Sequence, residues 1–219
     1  MSSVIDSLAA RLREGTAALH VRAERSGIVA AMLRGQVDRA GYAVLLCNLL
    51  PAYRAIEEGL MRHRATPWLA PFARPEFFRA AALASDLAMI CGDARAERLT
   101  LLPAGLRYAQ RIRRAAAGDG ALLIAHSYVR TLGDLSGGQT LARVLSRALK
   151  LPPEALTFYA FPGVADLGAT KAAYRAALDA AGPRLAAPER VLREARVAFR
   201  LNIALSEAVR DAAAGTSLR

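Results

Sequence analysis

Leu132-Gly-Asp-Leu-Ser-Gly-Gly-Gln139 places three glycines, Gly133, Gly137 and Gly138, where both flanks ask for helix. Upstream, Leu122, Ile124, Ala125, Val129 and Leu132 recur at helical spacing, and downstream Leu141, Ala142, Val144, Leu145, Ala148 and Leu149 do the same. The glycines therefore fall inside a helix over 121–149, where each costs roughly 1 kcal/mol against alanine. Gly133 and Gly137 are four apart and share a face. That spacing leaves a strip of bare backbone about one turn long, against which a large planar ligand could lie. The plain alternative is that the glycines break one helix into two.

Working outward, the neighbouring segments are helical by the same test. Upstream lie 104–116, with Arg107, Arg111 and Arg114 along one face, and 76–90; a loop over 66–75 carries three prolines and Trp68. Before it, 38–64 forms a long helix with Tyr42, Val44, Leu45, Leu46, Leu49, Leu50, Ile56 and Leu60 on its apolar face. Pro51 should kink it, because proline removes a donor and clashes with the preceding turn. A short segment to Arg34 and Gly35-Gln36 separates it from a first amphipathic helix over 4–24, with Ile5, Leu8, Leu12, Leu19 and Val21 turned broadly inward. Downstream, Pro152-Pro153 ends the glycine-bearing helix and 158–163 is an aromatic connection. A helix over 171–181 stops at Gly182-Pro183, and 188–213 is the last, with Val191, Leu192, Ala195, Phe199, Asn202 and Ile203 inward. The class is all-α, and with no internal repeat or Pro/Gly/Ser-rich linker, 1–219 reads as a single domain.

The net charge of +11 points to an anionic partner. It is almost all arginine, spread over many helix faces without a basic tail or interleaved aromatics, which argues against nucleic acid. Cys47 and Cys91 share no metal-ligand spacing and read as reduced thiols of a cytoplasmic protein. No apolar run reaches the roughly 18 to 20 residues of a membrane-spanning helix, and charges at Asp6, Arg11 and Arg13 interrupt any signal-like segment. No membrane anchor is expected.

His20 sits near the end of the first helix with Glu24 one turn on, on the same face. A lone histidine there is ordinarily a satisfied polar residue. Glu24 adds the possibility that its carboxylate holds one imidazole nitrogen, fixing the tautomer and raising basicity at the other toward a metal. His126 precedes Asp134 by eight residues, about 12 Å along a helix, and so cannot reach a metal centred over Gly133 to Gly137. His63, inside Arg62-His63-Arg64, reads as a surface residue.

Leu135 to Gln139 also copies the signature of ABC-transporter ATPases, but such a domain needs a G-x-x-x-x-G-K-[ST] phosphate loop. The two lysines, Lys150 and Lys171, follow Leu and Thr. The longer run Leu122-Leu-Ile-Ala-His-Ser-Tyr-Val-Arg-Thr-Leu-Gly-Asp-Leu-Ser-Gly-Gly-Gln139 instead resembles the signature of the heme oxygenases. The resemblance continues through Leu19-His20-Val21-Arg22-Ala23-Glu24, Gly35-Gln36-Val37, Tyr53 and Ala198-Phe199-Arg200-Leu201-Asn202-Ile203, in the family's order and over nearly the whole chain.

That resemblance implies a helical fold holding heme b between a proximal helix and a glycine-kinked distal helix. It makes His20 the iron ligand, supported by Glu24, and puts the Gly133 and Gly137 backbone on the opposite face, open for dioxygen. Asp134 would organise distal waters that deliver protons, with Arg130, Tyr53 and Asn202 in its hydrogen-bond network. Ser136, Tyr128 and Phe199 would line the heme pocket. Lys171 and Arg175 match the positions that contact the heme propionates, and Arg13 stands where a lysine is common. Thr131 departs from the tyrosine of many mammalian members. The implied reaction cleaves heme to biliverdin, the IXα isomer, with carbon monoxide and ferrous iron. Electrons would come from a ferredoxin with its reductase or from a flavoprotein reductase, and a monomer is expected. A heme carrier without turnover is the competing reading. A related di-iron carboxylate centre would need Glu three residues before a histidine, where Ala17, Leu60 and Leu123 stand.

Overall fold

Burial of the long apolar stripes decides the architecture. The structure, a computed structural model, describes residues 7–96 and 98–216, and among them there is no strand. The helices are α1 (Leu8–Glu24), α2 (Gly27–Leu33), α3 (Arg39–Arg62), α4 (Ala80–Cys91), α5 (Asp93–Ala96), α6 (Pro103–Ala115), α7 (Leu123–Ser127), α8 (Gly133–Leu149), α9 (Leu167–Ala181) and α10 (Pro188–Thr216). α3 packs on α4, α6 and α10, and α10 also packs on α1, α2 and α7. The core centres on Tyr42, Leu46, Leu60, Leu83, Tyr108, Ile112 and Leu123, all fully buried. Residues 1–6, with Ile5 of the expected first helix, lie outside the described residues.

Side chains set four of the helix starts. Ser7 accepts from the Ala10 amide at 3.3 Å, and Asp38 accepts from the Gly41 amide at 2.7 Å. Asp166 accepts from the Gly168 and Ala169 amides, which starts the helix expected over 171–181 four residues early, at Leu167. α4 begins at Ala80 rather than near Glu76. Its first amides are capped from another helix, since the Glu57 carboxylate of α3 accepts from Arg79 N and Ala80 N at 2.6 and 2.7 Å. α3 continues through Pro51 without ending. α2 is a helix in the stretch expected only as a short connection.

Three further expectations are corrected. Val21 is 43% exposed rather than inward, because it falls on the edge of the α1 face and borders a cavity. His63 is half-buried, with Nε2 2.9 Å from the Ala116 carbonyl oxygen. Gly120, at φ +71°, lies so close to the His63 ring that a Cβ there would stand 2.6 Å from it. Lastly, the distal rod departs from α geometry in a π turn, Tyr128–Leu132, that joins α7 to α8. Gly133 itself has ordinary helical angles, φ −62° and ψ −48°. Such single π turns inside helices are frequent at functional sites.

Candidate functional site

A slot between α1 and α8, closed by α10, forms two adjoining lobes of about 370 and 580 Å³, within the roughly 300–1,000 Å³ of ligand pockets. His20, Val129, Gly133, Ser136 and Phe199 border both. The inner lobe adds Glu24, Arg130, Asp134, Gly137 and Asn202. The outer lobe adds Arg13, Tyr128 and Arg175. Of the residues singled out in the sequence, Lys171 borders neither lobe and Tyr53 lies one contact behind the wall. The exposed apolar side chains of Val21 and Leu33 stand at the rim.

His20 projects into the slot with its side chain 56% exposed; Nδ1 is 3.7 Å from Glu24 Oε1, longer than a hydrogen bond. The Phe199 ring stands edge-on to the imidazole at 6.0 Å. On the opposite wall, a Cβ built on Gly133 or Gly137 would meet no protein atom within 4 Å. Protein packing therefore does not explain these two glycines, which leave that wall of the slot bare. Gly138 has a separate cause, because a Cβ there would come 3.3 Å from Tyr159 Cδ1.

Beside the bare strip lies one connected polar group. Tyr53 donates to Asp134 Oδ2 at 2.5 Å. Arg130 donates to Tyr53 Oη from Nε and Nη2 at 2.8 and 2.6 Å, to Asp134 Oδ1 at 3.2 Å, and from Nη1 to Asn202 Oδ1 at 2.9 Å. α3, the distal rod and α10 thus each supply a member. Burial pushes the Asp134 carboxyl up, opposed by the Arg130 charge and the Tyr53 hydroxyl. Burial likewise raises Tyr53, with Arg130 pulling the other way. Burial disfavours the Arg130 cation, but Tyr53 and Asp134 outweigh it and hold the guanidinium charged.

At the outer lobe, burial raises Tyr128, opposed by a hydrogen bond with Thr16 and by the charges of Arg175 and Arg13. Among the described residues, neither arginine has a carboxylate within 4 Å. Asp179 borders the same lobe, its Oδ1 held by the Ala9 amide at 2.8 Å, and the two cations leave the lobe a net positive charge that suits an anionic group.

His126, as its spacing required, is not at the slot. It is fully buried, with Nε2 2.9 Å from Glu194 Oε1, and Arg111 Nε donates to the same oxygen at 2.7 Å. Burial lowers the His126 pKa. Burial opposes the Glu194 charge, but His126 and Arg111 outweigh it and hold that carboxyl at about 2. Glu194, and the inner-lobe aromatics Phe158 and Tyr159, were missed in the sequence. Glu194 reads there as one charge in an Arg-rich helix, and the aromatics as a connection. Thr131 is buried, and the nearby Tyr174 hydroxyl meets Ser127 Oγ at 2.7 Å.

Fold and slot together define an all-helical protein with an apolar slot between a histidine and a bare glycine backbone. A family model for heme oxygenase matches residues 6–208. The chain is 37% identical to human heme oxygenase 1 over 95% of its own length and 74% of the human protein. Heme oxygenase-1 of the cyanobacterium Synechocystis sp., solved in complex with heme, superposes with a TM-score of 0.89 at 35% identity, covering 96% of this chain and 95% of that one. The heme oxygenase of Leptospira interrogans gives 0.87 at 37% identity, covering 92% and 99%. The chain belongs to the heme oxygenase family.

Proposed function

We propose that this chain, as one domain over 1–219, opens heme to biliverdin, carbon monoxide and ferrous iron, taking dioxygen and electrons from a separate redox partner. Heme is the substrate; it supplies the iron at which dioxygen is activated and the ring that is cut. His20 holds the iron through Nε2, and closure of the 3.7 Å gap to Glu24 by a few tenths of an ångström fixes the imidazole's tautomer. The Gly133 and Gly137 backbone supports the other face and leaves room for a small ligand. Asp134, aimed by Tyr53 and Arg130, holds the waters that pass protons to that face, and Asn202 fixes the far end of Arg130. Ser136, Tyr128 and Phe199 wall the ring. Arg13 and Arg175 take the propionates at the outer lobe; Lys171, four residues before Arg175 on α9, joins them once its side chain swings toward the lobe. That edge contact orients the ring for the IXα product.

One observation carries this reading over a heme carrier: the Tyr53–Arg130–Asp134–Asn202 network, with Tyr53 and Asp134 buried, opens onto the slot beside bare backbone. A carrier needs a ligand and a slot, but no proton-handling group on the open side.

Electron delivery falls to an acidic ferredoxin or flavoprotein reductase. Arg34, Arg143 and Arg147 border a shallow groove that shares Leu33 and Thr140 with the inner lobe. The protein is taken to work as a monomer in the cytoplasm; no helix among the described residues is long and apolar enough to cross a membrane. Adding heme and an electron source while following the visible spectrum tests the function. Loss of the Soret band with a bilin product is expected; a heme spectrum that persists through reduction in air would establish the carrier instead.

A further inference from the structure

Residues 157–161 run between Pro153 and Gly163 with only short 3-10 turns of their own, so side chains from elsewhere must fix their place. Asp86 of α4 is fully buried. Its Oδ1 accepts from Thr157 N at 2.9 Å and Thr157 Oγ1 at 2.5 Å, and its Oδ2 from Phe158 N at 2.8 Å. Gln139 of α8 donates from Nε2 to the Tyr159 carbonyl at 3.1 Å. Arg79, just before α4, donates from Nη1 to the Ala160 carbonyl and lies over the Phe161 ring, 4.6 Å from its centre. Consecutive residues of one connection are thus tied to two helices by three polar side chains.

What they hold is the back of the site. The Phe158 ring meets the Tyr53 ring edge-on at 5.3 Å and 87°, and Tyr159 packs on Phe158 at 4.7 Å. Tyr53 in turn carries the 2.5 Å bond to Asp134. A buried carboxylate is expensive, and an apolar residue of similar size is often at least as stabilising unless the bonds fix something specific. We propose that Asp86, with Gln139 and Arg79, is a positioning residue for the distal network, acting through Phe158 on the aim of the Tyr53 hydroxyl at Asp134. The assignment rests on the reading of Tyr53 and Asp134 as the groups that govern proton delivery.

Asp86→Asn is the direct test. The amide keeps one acceptor oxygen, and its NH2 must face a donor, so at least one bond to the segment is lost. In the ligand-free protein the Tyr53 hydroxyl proton, assigned by its absence in Tyr53→Phe, should shift or broaden in the proton NMR spectrum. With heme added, kcat for ring opening should fall roughly ten-fold while heme affinity and KM stay within about two-fold. Gln139→Leu, at an exposed position, should move the resonance and kcat the same way by less, and it decides the matter should Asp86→Asn not fold. The proposal is overturned if the folded variants keep the parent's resonance and kcat, or if affinity and kcat fall together as in a generally loosened slot. A parent that leaves heme intact would sink the functional reading alone, because the ligand-free resonance still reports on the positioning.

Discussion

Replacing Gly133 and Gly137 by alanine should make the ligand-free protein more stable and its heme complex weaker. Both residues lie within α8, Gly133 has helical angles, and an added Cβ at either would meet nothing within 4 Å. The substitution therefore adds helix propensity, about 1 kcal/mol per site, with no clash to offset it. Two sites give about 2 kcal/mol, which for a chain of this length raises Tm by about 4–8 °C. Gly138→Ala is the control, since its Cβ would crowd Tyr159 at 3.3 Å and should recover little of that gain. The same methyls, projecting about 1.5 Å from the backbone, occupy the layer where the ring must lie at van der Waals distance, about 3.5–4.0 Å. Heme affinity should drop at least about ten-fold, or 1.4 kcal/mol. Thermal melts without ligand and heme titrations followed at the Soret band measure both. A lower Tm would mean that protein contacts had selected the glycines, and unchanged affinity would show that the strip does not face the ring.

Asp134→Ala should leave heme affinity near the parent's but divert oxidation away from biliverdin, and should cost about 1–3 kcal/mol by removing one partner each of Tyr53 and Arg130; normal bilin yield would refute its role. Glu194 has a folded pKa of about 2 against an ordinary 4.5, so it contributes stability that is present above about pH 4.5 and lost as pH falls toward 2, about 3 kcal/mol. In denaturant unfolding, Glu194→Gln should flatten the pH dependence across that window; an unchanged slope would remove Glu194 as its source. Charge reversal at Arg143 and Arg147 should lower the reductase-supported rate and its salt sensitivity while sparing turnover with a small chemical reductant, and equal losses with both would indicate a damaged slot. Lys171→Ala with Arg175→Ala removes charge-assisted bonds of about 1.5–3 kcal/mol each and should give a mixture of bilin isomers by chromatography; a single unchanged isomer would assign the ring's orientation to other contacts.

The helices and the glycine strip were legible because they rest on local pattern: apolar period, caps within a few residues, and glycine where propensity asks for something else. The resemblance then supplied His20, Asp134, Arg130, Tyr53 and Asn202, and all but Tyr53 border the slot. What stayed hidden depends on residues distant in the chain. The start of α4 is set by Glu57, 22 residues from Arg79. The His126 partner is Glu194, 68 residues away, and neither leaves a local trace. The partial burial of His63 follows from Gly120, whose positive φ brings the backbone against the ring. The π turn was not legible either, since Tyr128 to Leu132 carries ordinary helix-compatible residues and its geometry answers to the network beyond it.

That π turn holds one residue more than an α turn, and one residue is about 100° of rotation. α7 and α8 are therefore out of phase across it. The first half directs Ile124, Ala125 and His126 into the interior, and the second turns Gly133 and Gly137 toward the slot. Loss of a single residue between 128 and 132 would bring the halves into phase without changing the composition of either. The glycine strip would then rotate by more than a quarter turn away from His20. Substitutions can be absorbed along this helix wherever packing allows, but its length in that one turn cannot change without turning the site away from its ligand.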